Sequence, residues 1–164
     1  REGLLAHIQQ LKSEGRLIAE ARLPEGLNGH FVAPVAFEID GIHQLKKEHF
    51  GAVLHVARYD AADLEKVVAA INGTGYGLTL GVHSRNEETA ERIERLARVG
   101  NLYVNRNQIG AVVGVQPFGG CGLSGTGPKA GGPSYLLRFA NERTTSTNTT
   151  AVGGNASLLS LGDD

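Results

Sequence analysis

Apolar residues recur along the first 140 residues in two rhythms, one typical of helices and one typical of strands. Leucine and isoleucine return every three or four positions before Gly15, a spacing that predicts an amphipathic helix ending at that glycine. Two later segments show the same spacing. Each follows a residue that is favoured at a helix N-cap, Asp60 or Asn86. The predicted helices cover residues 4–11, 61–71 and 87–99.

Short runs of β-branched and aromatic residues lie between these helices and predict strands. In the second run Pro34 has no backbone N–H, which favours an edge strand or a bulge. The predicted strands cover residues 16–21, 31–39, 53–56, 78–82 and 102–104. From residue 53 onward strands and helices alternate, the pattern of a parallel sheet with right-handed crossovers. The expected fold class is therefore α/β, an open parallel sheet with flanking helices.

The third predicted helix carries glutamate and arginine residues four positions apart, in the favourable order with glutamate first. We expect a solvated face in which each pair contributes roughly 0.2–0.5 kcal/mol. The pairs are Glu88–Arg92, Glu91–Arg95 and Glu94–Arg98.

A glycine-rich segment, residues 108–133, follows the last predicted strand. Nine of the 23 glycines of the chain lie between Gly110 and Gly132. A helix or strand interior does not tolerate that density, because glycine costs conformational entropy and adds no packing side chain. Ligands bind just beyond the carboxyl ends of strands in open α/β sheets. The sequence therefore predicts that this segment, with the cation of Lys129, forms the wall of a site.

Two short patterns inside the segment suggest chemistry, and neither is strong. Residues 120–125 match the spacing of a dinucleotide-binding fingerprint, but Gly127 and Pro128 follow where that motif needs a helix to begin. Cys121 is a candidate nucleophile, because neighbouring amide N–H groups can lower the pKa of a thiol. The alternative is an incidental cysteine, since no histidine or aspartate lies near it in sequence. The six histidines show no ligand spacing, so we predict no metal site.

Composition adds mainly exclusions. A net charge of −1 gives no sign of a nucleic-acid or anionic-membrane partner, and no apolar run is long enough to span a bilayer. A single cysteine fits a reducing compartment, and we expect a cytoplasmic location. Residues 141–164 are rich in Thr, Ser and Asn, so we divide the chain into a domain portion at 1–140 and a tail at 141–164. The first residues already read as helix, which raises the expectation of a fragment.

Several segments, in order, resemble the C-terminal part of an aldehyde dehydrogenase catalytic domain. Residues 48–51, Glu-His-Phe-Gly, are similar to the E-x-F-G-P cofactor motif of that superfamily. The other matching segments are Tyr76-Gly-Leu, Gly100-Asn-Leu-Tyr-Val-Asn105, Pro117-Phe118-Gly119-Gly120 and Ser124-Gly125. Residues 105–118, 123–133 and 149–159 further resemble a subgroup, the bifunctional proline utilisation flavoenzymes whose second half is a pyrroline-5-carboxylate dehydrogenase.

The resemblance implies a role for five positions. Glu48 would hydrogen-bond the nicotinamide ribose of NAD, and Phe50 would pack beside the nicotinamide, whereas composition alone makes them a solvated acid and a core aromatic. Gly110 and Ala111 would offer backbone N–H groups to the α-carboxylate of the aldehyde. Two adjacent amides with no bulky side chain suit that ligand. Phe118 would pack along the aliphatic chain of the substrate.

Two positions depart from the family pattern. Ala52 replaces the proline that usually follows the E-x-F-G sequence, which relaxes the turn and leaves Glu48 in place. Cys121 stands where related proteins often carry a polar or acidic residue, and we assign it no chemistry. The nucleophilic cysteine, the general-base glutamate and the dinucleotide-binding half of the family all lie upstream of motifs like these. We therefore expect a piece that is inactive alone.

The implied reaction of the parent protein is NAD-dependent oxidation of L-glutamate γ-semialdehyde, the open form of pyrroline-5-carboxylate, to glutamate. The parent would hold FAD in its proline dehydrogenase half. The tail at residues 141–164 would supply a flap for homo-oligomerisation and a capping segment. The alternative is a non-catalytic assembly module of a larger protein, in which sheet and tail mainly form an oligomer interface.

Overall fold

The computed structural model describes residues 1–148 and 151, and all the predicted helices and strands occur there. The helices are α1 (Glu2–Ser13), α2 (Leu64–Gly73) and α3 (Glu87–Leu96). The strands are β1 (Leu17–Glu20), β2 (Val35–Glu38), β3 (Val53–Val56), β4 (Tyr76–Gly77), β5 (Thr79–Val82), β6 (Asn101–Val104) and β7 (Cys121–Gly122). The two-residue strands β4 and β7 are additions that no sequence pattern indicated.

The first core lies between α1 and a three-stranded sheet in the order β1–β2–β3. Helical spacing puts Ile8 and Leu11 on one face of α1, and strand alternation puts Val35 and Phe37 on one face of β2. These four side chains are buried against one another, and Phe37 is fully enclosed. Because Pro34 immediately precedes β2, the strand is shorter than the predicted 31–39.

The second core lies between the parallel pair β5–β6 and the helices α2 and α3. Leu64 and Val68 of α2 pack on Val82 of β5 and Ile93 of α3. Helix α3 is the crossover that joins β5 to β6, as the alternation of elements predicted. Asp60 and Asn86 both act as N-caps, accepting from the amides of Ala62 and Glu88 at 2.8 and 3.0 Å.

The prediction of one open parallel sheet is wrong in its connectivity. The strands form three separate sheets, and β1 runs antiparallel to β2. The segment between β1 and β2 contains no helix, and an antiparallel return does not need the crossover that a parallel pair requires. Strands β3 and β5 do not pair; a cavity of about 470 Å³, lined by Val53 and His55 on one side and Thr79 and Leu80 on the other, separates them.

Helix α3 ends at Leu96, three residues before the predicted end, and only one of its three predicted ion pairs forms. Glu91 and Arg95 approach to 3.5 Å, whereas Arg92 instead pairs with Glu65 of α2 at 2.7 Å. Arg98 lies outside the helix, so it cannot face Glu94 at helical spacing. The Glu–Arg face is therefore partly an interhelical contact.

The side chain of Asn72 explains the early end of α3. Its amide nitrogen donates to the Leu96 carbonyl, and its amide oxygen accepts from the Arg98 amide, both at 2.8 Å. A side chain of α2 thus satisfies the backbone groups at the end of α3. Local sequence near residue 96 gives no sign of this contact.

After the glycine-rich segment, Leu136–Phe139 forms a 3₁₀ helix. Residues 141–148 form neither helix nor strand. The rest of the predicted flap and capping segment, apart from residue 151, lies outside the described residues. The domain boundary at residue 140 therefore remains a prediction. Of the helices in the described part of the chain, none has the length and apolar character needed to cross a bilayer.

Candidate functional site

The glycine-rich segment, residues 108–133, packs closely against its own backbone and against the start of β6. A side chain at Gly100 would collide with the Gly119 carbonyl, and one at Gly125 would collide with the Gly120 carbonyl. Strand β7 pairs antiparallel with β4. No helix begins within described residues 120–128, so the dinucleotide fingerprint interpretation of this spacing is rejected. Close backbone packing accounts for several of the glycines.

A buried amide and an ammonium group fasten this segment to β6. Asn101, 8% exposed, donates from its amide nitrogen to the Pro117 carbonyl at 3.0 Å. Lys129 donates to the Gly100 carbonyl and, at 3.4 Å, to the Asn101 side-chain oxygen. The sequence pattern predicted Lys129 in a site wall and gave no sign of its bonds to Gly100 and Asn101. Its partner Asn101 belongs to the quoted Gly-Asn-Leu motif.

Phe118, the residue expected to pack along the substrate chain, is held by the same arrangement. Its amide and carbonyl pair with those of Ala130 at 3.0 and 2.9 Å. The side chain is half-buried. Phe118 therefore has a fixed position relative to β6, on the segment that also contains Gly110 and Ala111.

A loop, residues 107–116, contains the two predicted carboxylate-binding positions. Among the described residues, the amides of Gly110 and Ala111 have no hydrogen-bond partner, whereas the next amide, Val112, donates to the Gln116 side chain at 3.0 Å. The flanking Ile109 and Val113 are 90% and 97% exposed. Two consecutive amides are thus free to donate, next to a third that is tied down.

The predicted cofactor residues lie in a second loop, residues 46–51. Glu48 is exposed, and its carboxylate has no hydrogen bond or ion pair within the described part of the chain. Phe50 is 92% exposed, so it is not the core aromatic that composition alone suggested. A free acceptor and an uncovered aromatic ring, two residues apart in the sequence, are suited to an external ligand with hydroxyl groups and a flat ring.

Three histidines that show no pattern in the sequence hold this second loop to the first core. The rings of His49 and His7 stack with centroids 3.7 Å apart, and His7 Nε2 lies 2.8 Å from His55 Nε2. Burial, and then the nearby His49 and His55, lower the pKa of His7 from its usual value. Burial, and then His49, likewise lower the pKa of His55. The described residues contain no group of His, Cys, Asp or Glu arranged to hold a metal ion.

The structure does not bring the two sets of predicted residues into one cavity within the described part of the chain. Glu48 lines the cavity between β3 and β5, and the glycine-rich segment contributes Ser124 to it. Gly110, Ala111 and Phe118 do not line that cavity. The two loops therefore present two separate groups of ligand-binding atoms.

Cys121 is exposed in β7, and its thiol donates to the Arg98 carbonyl at 3.2 Å and lies 3.7 Å from the Gly77 carbonyl. No histidine or carboxylate in the described residues contacts it. Nucleophilic catalysis needs a neighbouring base or a lowered pKa, and this environment supplies no such base. That Cys121 carries no chemistry remains a prediction.

Comparisons with known proteins extend over most of the chain. The family model described as the aldehyde dehydrogenase family matches residues 1–145. A bifunctional PutA protein of Klebsiella aerogenes is 54% identical over 149 residues, which are 87% of this chain and 11% of that protein. This chain thus spans about a ninth of the length of that relative.

Two solved structures are similar in both sequence and fold. A mutant proline utilization A protein from Bradyrhizobium japonicum is 59% identical, with a TM-score of 0.81 over 92% of this chain and 15% of that one. A 1-pyrroline-5-carboxylate dehydrogenase from Thermus, solved with bound NAD, is 43% identical, with a TM-score of 0.71 over 83% of this chain and 26% of that one. At 59% and 43% identity, the chain is similar to these two proteins in sequence as well as in fold.

Proposed function

This chain belongs to the aldehyde dehydrogenase family, and on that premise we propose that it is part of an NAD-dependent L-glutamate γ-semialdehyde dehydrogenase. It would supply the cofactor contact of Glu48 and Phe50 and the substrate contacts of Gly110, Ala111 and Phe118. In the complete protein a thiolate outside these residues would attack the aldehyde, hydride would pass to NAD, and water would release glutamate.

The free amides of Gly110 and Ala111 are the observation that carries this proposal. A dehydrogenase for simple aldehydes does not need two free, adjacent N–H donors on a loop that also exposes valine and isoleucine side chains. A dehydrogenase whose substrate carries an α-carboxylate does need them, because two adjacent donors bind a carboxylate well. The Thermus relative named 1-pyrroline-5-carboxylate dehydrogenase and the proline utilization A relative support the same substrate class.

NAD is the proposed cofactor, and the exposed, unpaired Glu48 is its proposed ligand in this chain. A carboxylate that accepts from ribose hydroxyls forms charge-assisted hydrogen bonds, which are stronger than neutral ones. The Thermus relative has NAD bound, which supports the proposal. If the complete protein resembles the bifunctional relatives, FAD would occupy its other half and the enzyme would be cytoplasmic.

Replacement of Glu48 by alanine in the complete protein tests the cofactor assignment. Loss of hydrogen bonds to a charged acceptor costs about 1.5–3 kcal/mol, so the KM for NAD should rise about tenfold or more. Glu94→Ala is the matched control, since Glu94 lies exposed on α3. The measurement is the rate of NADH formation against NAD concentration. An NAD dependence that is the same for Glu48→Ala and Glu94→Ala would refute the role of Glu48.

The alternative, a non-catalytic assembly module, has one observation in its favour. Three apolar side chains of the 3₁₀ helix, directly before the tail, are 72–78% exposed: Leu136, Leu137 and Phe139.

We propose that this apolar turn and residues 141–164 contribute to a homo-oligomer of the enzyme. Truncation after Phe139 should then change the mass measured by light scattering, whereas Glu48→Ala should not. If the chain is instead a non-catalytic assembly module, substitution of Glu48 or of Gly110 should leave the dehydrogenase activity of the complete protein unchanged.

A further inference from the structure

We propose that Arg106 and Gln116 are positioning residues that set carboxylate specificity, because together they hold the loop at residues 107–116 with the Gly110 and Ala111 amides presented outward. This inference rests on the proposed function and names the side chains that give its substrate loop a shape. Neither residue was singled out by sequence patterns, and neither needs to touch the substrate.

The side chain of Gln116 closes the loop on itself. The side-chain oxygen accepts from the Val112 amide at 3.0 Å, and the backbone N–H of Gln116 donates to the Val112 carbonyl at 2.9 Å. Both backbone groups of Val112 are therefore fixed by one residue four positions later. Since Val112 follows Ala111 directly, this closure determines which way the two free amides point.

Arg106 fixes Gln116 in turn. Its guanidinium donates to the same Gln116 oxygen at 3.2 Å, so that oxygen accepts from both sides. A second donation, from Nε to the Asn107 carbonyl at 3.3 Å, ties Arg106 to the start of the loop. An amide oxygen with two donors has little freedom to turn away from Val112.

The Tyr103 ring gives this arrangement a rigid base. The guanidinium carbon of Arg106 lies 4.6 Å from the ring centroid, within the range of a cation–π contact. Tyr103 is 5% exposed and belongs to β6, which pairs with β5 along its whole length. The loop is thereby connected, through two side chains, to a strand of the second core.

The charge of Arg106 has a second consequence. No carboxylate within the described residues pairs with Arg106. Its positive charge therefore remains uncompensated at the base of the loop, and it favours an anionic group near the Gly110 and Ala111 amides. A neutral aldehyde gains nothing from this field. Position and charge thus both favour a substrate that carries a carboxylate.

The test compares two substrates in the complete enzyme, glutamate semialdehyde and butanal, which lacks both the α-carboxylate and the α-amino group. Arg106→Ala and Gln116→Ala should each raise the KM for glutamate semialdehyde about threefold to tenfold, as expected for the loss of one or two hydrogen bonds. The KM and kcat for butanal should stay unchanged. Arg106→Lys keeps the charge but loses the flat guanidinium, so it should restore part of the lost affinity.

Controls separate this inference from the proposed function and from a folding defect. Arg95→Ala removes an exposed arginine of α3 and should leave both substrates unaffected. An equal loss with both substrates, or no change in either variant, would overturn the inference while the unaltered enzyme still oxidises glutamate semialdehyde. If the unaltered enzyme fails to oxidise it, the proposed function is wrong and the inference falls with it. Thermal unfolding of each variant identifies any that fails to fold. Because Arg106→Ala and Gln116→Ala each remove one side chain that holds the loop, either variant that folds tests the inference without the other.

Discussion

Individual glycines of the glycine-rich segment serve different purposes, and the structure separates them. At Gly125 a side chain would run into the Gly120 carbonyl, so glycine is required by packing. At Gly110 a Cβ atom would meet nothing within 4 Å. The described residues give no packing reason for glycine at this position. A requirement at Gly110 must therefore come from something that approaches the loop from outside.

Replacement of Gly110 by alanine should therefore damage catalysis without damaging the fold. The added methyl group has open space in the structure but would obstruct a carboxylate approaching the Gly110 and Ala111 amides. We expect the KM for glutamate semialdehyde to rise about tenfold, and the thermal midpoint to change little. Steady-state kinetics and thermal unfolding measure the two effects separately.

Gly3 provides the matched control, because it is exposed on α1 and a Cβ atom there also meets nothing within 4 Å. Gly3→Ala should leave the kinetics as they are. Wild-type kinetics for Gly110→Ala would argue against the carboxylate site on this loop.

Sequence alone predicted the residues whose contacts are local, and it missed those whose partners are distant. Asp60 and Asn86 were recognised as caps because each bonds an amide two positions along. Asn72 was not, because it bonds residues 24 and 26 positions away. The same limit hid the stacking of His7 on His49 and the pairing of Arg92 with Glu65.

At the scale of elements, α1 supports the proposed cofactor loop. His7 contacts both His49, which adjoins Glu48, and His55 in β3. Leu4 of α1 fills the space beside Gly51 that a side chain there would need. Helix α1 is thus coupled to the loop as well as to the core beneath it. This support was invisible in the sequence, where the histidines are scattered over 49 positions.

The attachment of α1 should weaken on acidification. The pKa values of His7 and His55 are lowered in the folded protein, chiefly by burial, with Glu14 acting in the opposite direction on His7 and Lys47 reinforcing the decrease. A lowered native pKa means that the neutral form is stabilised. The contribution is therefore complete above the ordinary value of about 6.5 and is lost as pH falls through the lowered values.

Hydrogen exchange of the α1 amides in the complete protein, followed from about pH 7 to about pH 5, checks this expectation after correction for the intrinsic rate. Protection should decrease toward the acidic end. His7→Gln keeps a polar partner for His55 but cannot titrate, so it should flatten the pH dependence. His30→Gln, an exposed residue, should not. An identical pH dependence for His7→Gln and wild type would exclude His7 as the source.

At the scale of the whole molecule, the described residues form two small cores where the sequence predicted one continuous sheet. The alternation of strands and helices correctly indicated α/β structure and the parallel pair β5–β6. It could not indicate that β3 pairs with β2 and leaves β5 across a cavity, because strand pairing depends on contacts between distant segments. Glu48 lines that cavity, so the predicted cofactor loop and the glycine-rich segment meet there through Ser124.

We propose that the loop at residues 46–51 contacts NAD while the loop at residues 107–116 contacts the carboxylate of the substrate. Hydrogen exchange of the complete protein, with NAD and then with the product glutamate, tests both halves at once. We predict that NAD slows exchange at residues 46–51, and that glutamate slows exchange at the free amides of Gly110 and Ala111. Unchanged exchange in both loops, with protection confined to other segments, would contradict the account.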